Sequence, residues 1–345
     1  MKKIYFTLLV MLLASSGAVE AKNWKIGPSS VAGMNFVSIN AAMSSSSVAA
    51  GDTLYLDQYY NESSEQTITK KVVIIGTGYD TSLTDEQVVA TLTGTLNLKA
   101  NNVEVKSVNL STVYFYNDDC ILDRCQVSTI QTKSTTAGMN HIYSCYITGC
   151  IRGYGSSTTQ YSQFDIQNCL INTTTDYPLE YMTKTIVNNN TIVMSGYNQY
   201  GLIAIINSQI TNNIILNTYS SSYYNRDFNG SDIYASGSGN TIEHNILSRT
   251  TALTYYPNNK IGYGNSMSEL FTQTGNFSDY YKLADKSAAK GYATDGGEVG
   301  CHGGMFGCPS GGRPQYIPYF TKVTVGSRSE DGKLPVSISV KIQDE

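Results

Sequence analysis

The chain reads as an all-β solenoid made of parallel β-helix coils, and three observations point there. One phrase recurs six times between Leu122 and Leu247: an aliphatic, two mostly polar residues, Cys or Asn, any residue, and an aliphatic, as in Leu122-Asp-Arg-Cys125-Gln-Val127 and Ile210-Thr-Asn-Asn213-Ile-Ile215. The central residues Cys125, Cys145, Cys169, Asn190, Asn213 and Asn245 are 20, 24, 21, 23 and 32 residues apart, a period that marks stacked repeats. Each phrase is too short for a helix, and its aliphatics flank a polar pair that cannot enter a core, so it reads as strand, tight bend, strand. About 22 residues per repeat suits a three-sided coil and is too short for a propeller blade, and the Leu framework of a leucine-rich repeat is missing.

If each repeat is one turn of a coil, aliphatics at matching places stack inside it, and so does the Cys/Asn column. Stacked Asn amides can hydrogen-bond along the axis at the roughly 4.8 Å spacing of paired strands, and Cys fills the same inward slot as a small hydrophobe. The residue after each ladder position is Gln126, Tyr146, Leu170, Thr191, Ile214 and Ile246. This outer face turns apolar in the later coils, so a loop, the tail or a partner should cover it.

Taken in order, residues 1–21 form a secretory leader: Lys2 and Lys3, an apolar run from Ile4 to Leu13, then Ala18-Val-Glu-Ala21 with small residues at a cleavage site. The run is about half the length that a membrane span needs. The expected location is therefore secreted, periplasmic or cell surface. A solenoid grows by adding coils, so residues 22–313 are expected as one continuous domain, and residues 314–345 as a C-terminal β extension with strands at Ile317–Val325 and Leu334–Ile342. Hydrophobic residues make up 41% and charged residues 14%, with 27 Tyr, which suits a long core under a polar, uncharged, aromatic surface. The formal charge of −4 becomes −5 without Lys2, Lys3 and Glu20, which excludes nucleic acid as a natural partner. A monomer without a membrane span is expected.

The phrases resemble the parallel β-helix repeats of the pectate-lyase-like superfamily, over about a third of the chain, and the whole resembles secreted right-handed β-helix proteins of Bacteroidetes-type bacteria. The resemblance implies a short capping helix near Phe36–Met43, an opening strand in Gly51-Asp-Thr-Leu-Tyr-Leu56, and a closing segment at Tyr280–Gly291 and Asp295–Gly304 that seals the last coil. Trp24 is expected to pack in the cap. It also implies polysaccharide chemistry. A pectate-type lyase needs carboxylates around Ca²⁺ and a basic residue to take a proton, and a hydrolase needs two or three converging carboxylates. Asp118, Asp119, Asp123, Arg124, Arg152, Asp165, Lys184 and Glu243 scatter in coil register, and of these only Asp118, Asp119 and Lys184 can share a face, about three coils or roughly 14 Å apart. They are the catalytic candidates, set against a plain role as solvated turn residues. His302 in Gly-Cys-His-Gly-Gly is read as part of a turn.

Seven cysteines leave at least one unpaired. Cys301 and Cys308, close together in a Gly-rich segment, are the first choice for a disulfide, and neither C-x-x-C pairs nor a His cluster support a zinc site. No metal or cofactor is expected, with Ca²⁺ entering only through the lyase reading. The long step between Asn213 and Asn245 holds Tyr219-Ser-Ser-Ser-Tyr-Tyr-Asn-Arg-Asp-Phe228. Tyr219, Tyr223, Tyr224, Arg226 and Asp227 are the candidate ligand contacts there, or else a lid over Ile214 and Ile246. The leading functional expectation is binding or processing of a polysaccharide or cell-surface glycan through an exposed coil face. A lyase or hydrolase with a non-standard site, and a surface adhesion protein, are the alternatives.

Overall fold

The computed structural model describes residues 21–81, 88–135, 138–156, 159, 161–175, 177–195, 202–218, 233–234, 239–248, 258–260, 262, 267–308, 310–312, 319–325 and 336–341. Residues 1–20 of the expected leader lie outside them. The described chain is a parallel β-helix. One sheet has ten strands, from Asn23–Ile26 through Ile121–Asp123, Met139–Tyr143 and Gln163–Gln167 to Thr241–Glu243, each paired in parallel with the next coil's. A second sheet of 13 strands forms the remaining wall. Its middle strands, Asn109–Phe115, Gln126–Thr132 and Tyr146–Arg152, are long and bulged, whereas later coils divide the same path into two strands, as in Leu170–Thr173 and Leu179–Thr183. Gly149 sits at such a bulge because a Cβ there would lie 2.3 Å from the Ser128 carbonyl oxygen.

The bend inside each repeated phrase has one cause. The residue before each ladder position, namely Arg124, Ser144, Asn168, Asn189, Asn212 and His244, has φ between 50 and 59°, as does Ser107 one coil earlier. This left-handed conformation, which Asn tolerates best, turns the chain sharply and sends the next side chain inward. Cys125, Cys145, Cys169, Asn190, Asn213 and Asn245 are accordingly all fully buried. Asn190 N–H donates to Asn213 Oδ1 at 2.9 Å, and Asn213 N–H donates to Asn245 Oδ1 at 2.9 Å. The column continues one rung further, since Asn245 N–H donates to Asn259 Oδ1 at 2.9 Å.

A second inward column stands at the other end of the ten-stranded sheet, where it was not foreseen. Cys120 N–H donates to Asn140 Oδ1, Phe164 N–H to Thr185 Oγ1, Thr185 N–H to Ser208 Oγ and Ser208 N–H to Asn240 Oδ1, at 2.8 to 3.1 Å. Because its members are Cys, Asn, Phe, Thr, Ser and Asn, no single residue type announces the repeat.

At the first coil, a helix at Ile39–Ser44 is capped by Ser38, whose Oγ accepts from Ala41 N–H, and it buries Ile39, Ala42 and Met43. Asn40 reaches the neighbouring strand through Thr67 N–H and the Glu65 carbonyl, each at 2.8 Å, and so covers backbone that would otherwise be an open edge. Trp24 is half-buried against the core and donates from Nε1 to Asp52 Oδ2 at 2.7 Å. Asp52 also accepts from Lys22 and Ala49 N–H. Burial opposes its charge, but these bonds prevail and hold its pKa below the ordinary carboxylate value. Tyr319–Val325 and Val336–Lys341 pair antiparallel as the β extension.

The apolar outer face of the later coils is covered by the tail. Leu170, Val193, Ile214, Leu216 and Ile246 form a second buried cluster with Leu270, Phe271, Tyr281, Val299 and Cys301. The segment expected to seal the last coil goes on to run back along the outside of the left-handed bends as a strap. His244 Nδ1 meets the Tyr292 carbonyl at 2.8 Å, Asn212 Nδ2 donates to Thr294 Oγ1 at 3.0 Å, and Asn189 Nδ2 donates to the Glu298 carbonyl at 3.0 Å. Asn168 Nδ2 donates to the Cys301 carbonyl at 3.0 Å, Ser144 Oγ to the Phe306 carbonyl at 2.9 Å, and Tyr79 N–H to the Gly311 carbonyl at 2.9 Å.

Candidate functional site

On the outer face of the ten-stranded sheet, the pairing register sets two columns of side chains side by side. One column contains Lys106, Asp123, Tyr143, Gln167, Asn188, Thr211 and Glu243. The other, two residues earlier, contains Glu104, Ile121, His141, Asp165 and Ile186. Their strands are held by the inward residues between them, Val105, Leu122, Ile142, Ile166 and Val187, all fully buried. The outward groups therefore stand on a rigid wall, which is what a positioned site needs.

The strap forms the second wall. Phe306 stacks on Tyr143 with ring centroids 4.1 Å apart and planes 5° from parallel, and Arg124, nearly buried, donates from Nη2 to the Phe306 carbonyl at 3.3 Å. Between strap and sheet lies a cavity of about 500 Å³ lined by Glu104, Lys106, Asp123, Arg124, Tyr143 and Gly304–Gly307. Lys106 Nζ pairs with Glu104 Oε2 at 2.7 Å at its edge.

Two carboxylates flank Tyr143, one on each side, and their surroundings push them in opposite directions. Burial raises the pKa of Asp123, opposed by the Arg124 guanidinium at 3.7 Å and by Lys106. Burial also works against the charge of Asp165, but hydrogen bonds prevail and lower its pKa. Tyr143 Oη donates to Asp165 Oδ2 at 2.6 Å, Gln167 Nε2 donates to Oδ1 at 2.7 Å, and His141 Nδ1 lies 2.8 Å from Tyr143 Oη. Burial, with Asp165 as hydrogen-bond acceptor, raises the Tyr143 phenol well above its ordinary pKa, so it stays a donor. In chemical terms the wall offers a carboxyl group biased to keep its proton, a carboxylate biased to lose it, and an aromatic ring between them.

The candidates named from the sequence fall elsewhere. Asp118 and Asp119 precede Cys120 in the turn that leads into the ten-stranded sheet, and Lys184 precedes Thr185 in the equivalent turn of a later coil; Asp119 and Lys184 have φ of 57° and 50°. None of the three lines the cavity. Asp123, Arg124 and Asp165 seemed scattered because their offsets from the ladder residues differ, yet the sheet register brings Asp123 and Asp165 to either side of Tyr143. Tyr219, Tyr223, Tyr224, Arg226 and Asp227 lie outside the described residues. Ile214 and Ile246 already lie under the tail. All seven cysteines are free thiols in the structure, so the expected bond between Cys301 and Cys308 is not formed there, although both side chains pack in the same tail cluster.

Among the described residues, no group of three or more His, Cys, Asp or Glu is placed to hold a metal ion, and no helix is long and apolar enough to cross a membrane. Comparison with protein-family models, curated proteins and solved structures finds no match to this chain.

Proposed function

We propose that the chain is an exported pectate-lyase-like β-helix that binds a polysaccharide along the outer face of its ten-stranded sheet, in the cavity beneath residues 304–307. The observation that carries this reading is the cavity's make-up. A stacked Tyr143–Phe306 pair supplies apolar ring surface, and Glu104, Lys106 and Asp123 supply the charged groups that orient sugar hydroxyls. The leader of residues 1–21 supports export. The test is binding of a glycan panel by the mature protein and by a Glu104→Gln/Lys106→Met variant, whose two changes are on partly exposed side chains. Binding reduced about tenfold at an unchanged melting temperature is expected, and equal binding by both proteins would refute the site.

The opposed behaviour of Asp123 and Asp165 favours a second reading, hydrolysis of the bound chain. Asp123 is the acid that protonates the leaving oxygen, and Asp165 is the base that activates a water. Their strands are two coils apart, roughly 10 Å along the axis, which is too wide for the close carboxyl pair of a retaining mechanism. Release of reducing ends that is abolished by Asp123→Asn and by Asp165→Asn separately is the expected result; activity surviving either change removes this reading.

A further inference from the structure

The groove under the strap holds its charges in pairs. Lys106 Nζ lies 2.7 Å from Glu104 Oε2, and Arg124 Nε lies 3.7 Å from Asp123 Oδ1. Just beyond Tyr143, His141 Nδ1 stands 3.6 Å from Asp165 Oδ2. Each of these three basic side chains therefore has its own carboxylate within ion-pair distance. The backbone sets two of the pairs: Glu104 and Lys106 are two residues apart on one strand, and His141 is paired directly with Asp165 on the next. Arg124 is tied further, because its nearly buried guanidinium also donates from Nη2 to the Phe306 carbonyl at 3.3 Å.

Such pairs discriminate between ligands by hydrogen-bond type. A hydroxyl carries one donor and two lone pairs, so it can accept from an ammonium and donate to the carboxylate beside it. A carboxylate only accepts. Brought to Lys106 or Arg124, it also meets the oxygens of Glu104 or Asp123, and like charges at close quarters repel. The rest of the lining adds ring, aliphatic and backbone surface from Ile121, Tyr143 and Gly304–Gly307. Met305 is 89% exposed, so the rim of the groove is apolar there.

We propose that the groove selects uncharged polysaccharide chains, whose rings carry hydroxyls, and rejects chains that carry a carboxylate on each ring. The inference rests on the glycan-binding reading of this groove and narrows it to a substrate class. Glu104 is the specificity-determining residue, because it is the partly exposed partner that occupies the Lys106 ammonium. Asp123 does the same for the Arg124 guanidinium deeper in the wall. The wrong chain is turned away by a repulsive element built into the site.

The test measures binding by the full chain to polymers matched in backbone and differing in charge: hydroxyethyl- against carboxymethyl-cellulose, methyl-esterified against de-esterified polygalacturonate, and a neutral mannan against its carboxymethyl derivative. In every pair that binds, the neutral member is expected to bind at least about tenfold more tightly. Its affinity should stay the same between about 50 mM and about 500 mM salt. Glu104→Gln, a change on a partly exposed side chain, should open Lys106 to a carboxylate and narrow the preference by about threefold. A charged member that binds as tightly as its neutral partner, or a preference unchanged in Glu104→Gln, would overturn the inference while the glycan site stands. Binding of neither member of any pair would overturn the glycan reading and the inference together. The wild-type ratio decides by itself if the variant does not fold.

Discussion

The early coils and the late coils solve the same inward position with different chemistry. In the early coils Cys125, Cys145 and Cys169 point their thiols at the carbonyls of Val105, Leu122 and Ile142 in the preceding coil, at 3.4 to 3.5 Å. In the late coils Asn190, Asn213 and Asn245 reach the corresponding carbonyls of Ile166, Val187 and Ile210 at 2.8 to 2.9 Å. Only the Asn residues also accept, taking the backbone N–H of the rung before them through Oδ1. A thiol fills the slot and donates weakly, whereas an amide links three consecutive coils. The change occurs where the second sheet's long strands give way to pairs of short ones, from Leu170 onward. Stronger ties along the axis stand where the sheet is interrupted.

The largest break in this comparison is expected from Asn213→Leu. Asn213 Oδ1 accepts from Asn190, and its Nδ2 donates to Val187, Thr211 and Asn245. Leucine leaves these buried groups short of partners at about 1 to 3 kcal/mol for each group that cannot find another, so a loss of about 3 kcal/mol in urea unfolding is expected. A loss below about 1 kcal/mol would show that the ladder is not what ties the late coils.

Next in size is Gly300→Ala, which tests whether the strap is held chiefly on the late coils. Gly300 has φ of 95°, and a Cβ there would lie 2.8 Å from both Ile214 Cδ1 and Thr191 Oγ1. About 2 kcal/mol of destabilisation is expected, together with faster proteolysis between Ala288 and Phe306; protection equal to the wild type would argue against a tight strap.

A smaller effect distinguishes the two carboxylates by sign. The Asp165 pKa is lower in the folded chain than in the unfolded chain, so its stabilisation is present above about pH 4 and is lost as pH falls through the folded value. Asp165→Asn should therefore cost about 1 kcal/mol at pH 7 and progressively less as pH falls through the folded value. The Asp123 pKa is raised, so its ionisation weakens the fold as pH rises through about 4, and Asp123→Asn should be neutral or mildly stabilising at pH 7. Thermal melts across pH with the same sign for both variants would contradict the assignments.

The smallest effect, and the sharpest probe of the ladder, is Cys145→Asn. If the inward slot accepts either residue, stability should change by less than about 1 kcal/mol, because the new amide finds the Leu122 carbonyl where the thiol now donates. A cost as large as that of Asn213→Leu would mean that the early coils are packed for sulfur.

What could be read from the sequence followed from how uniform each column is. The Cys/Asn column repeats one or two residue types behind a left-handed bend, so it is visible as a pattern. The opposite column mixes Asn140, Phe164, Thr185 and Ser208 and has no signature. The groove was hidden for a related reason: Asp123 lies two residues before its ladder residue and Asp165 four before, so counting offsets separates side chains that the sheet register sets around one tyrosine. The strap could not be placed because Asn168, Asn189 and Asn212 read as turn residues, and nothing local indicates that they receive the chain from 82 to 133 positions later. The apolar outer face did signal that something must cover it.

A stack of coils whose contacts reach only the next coil can fray from either end, and its folding can stop part-way without penalty to what has formed. The strap removes that freedom. Gly311 is bonded to Tyr79 N–H beside the third coil, and Thr294 to Asn212 near the ninth. The tail therefore finds its complete set of partners only when the intervening coils are present and in register. Its docking raises the contact order of an otherwise local topology, slows the final step of folding and makes that step cooperative. A chain with one slipped coil would leave its tail undocked and the apolar face of Leu170, Ile214 and Ile246 exposed, a mark by which incomplete molecules differ from finished ones.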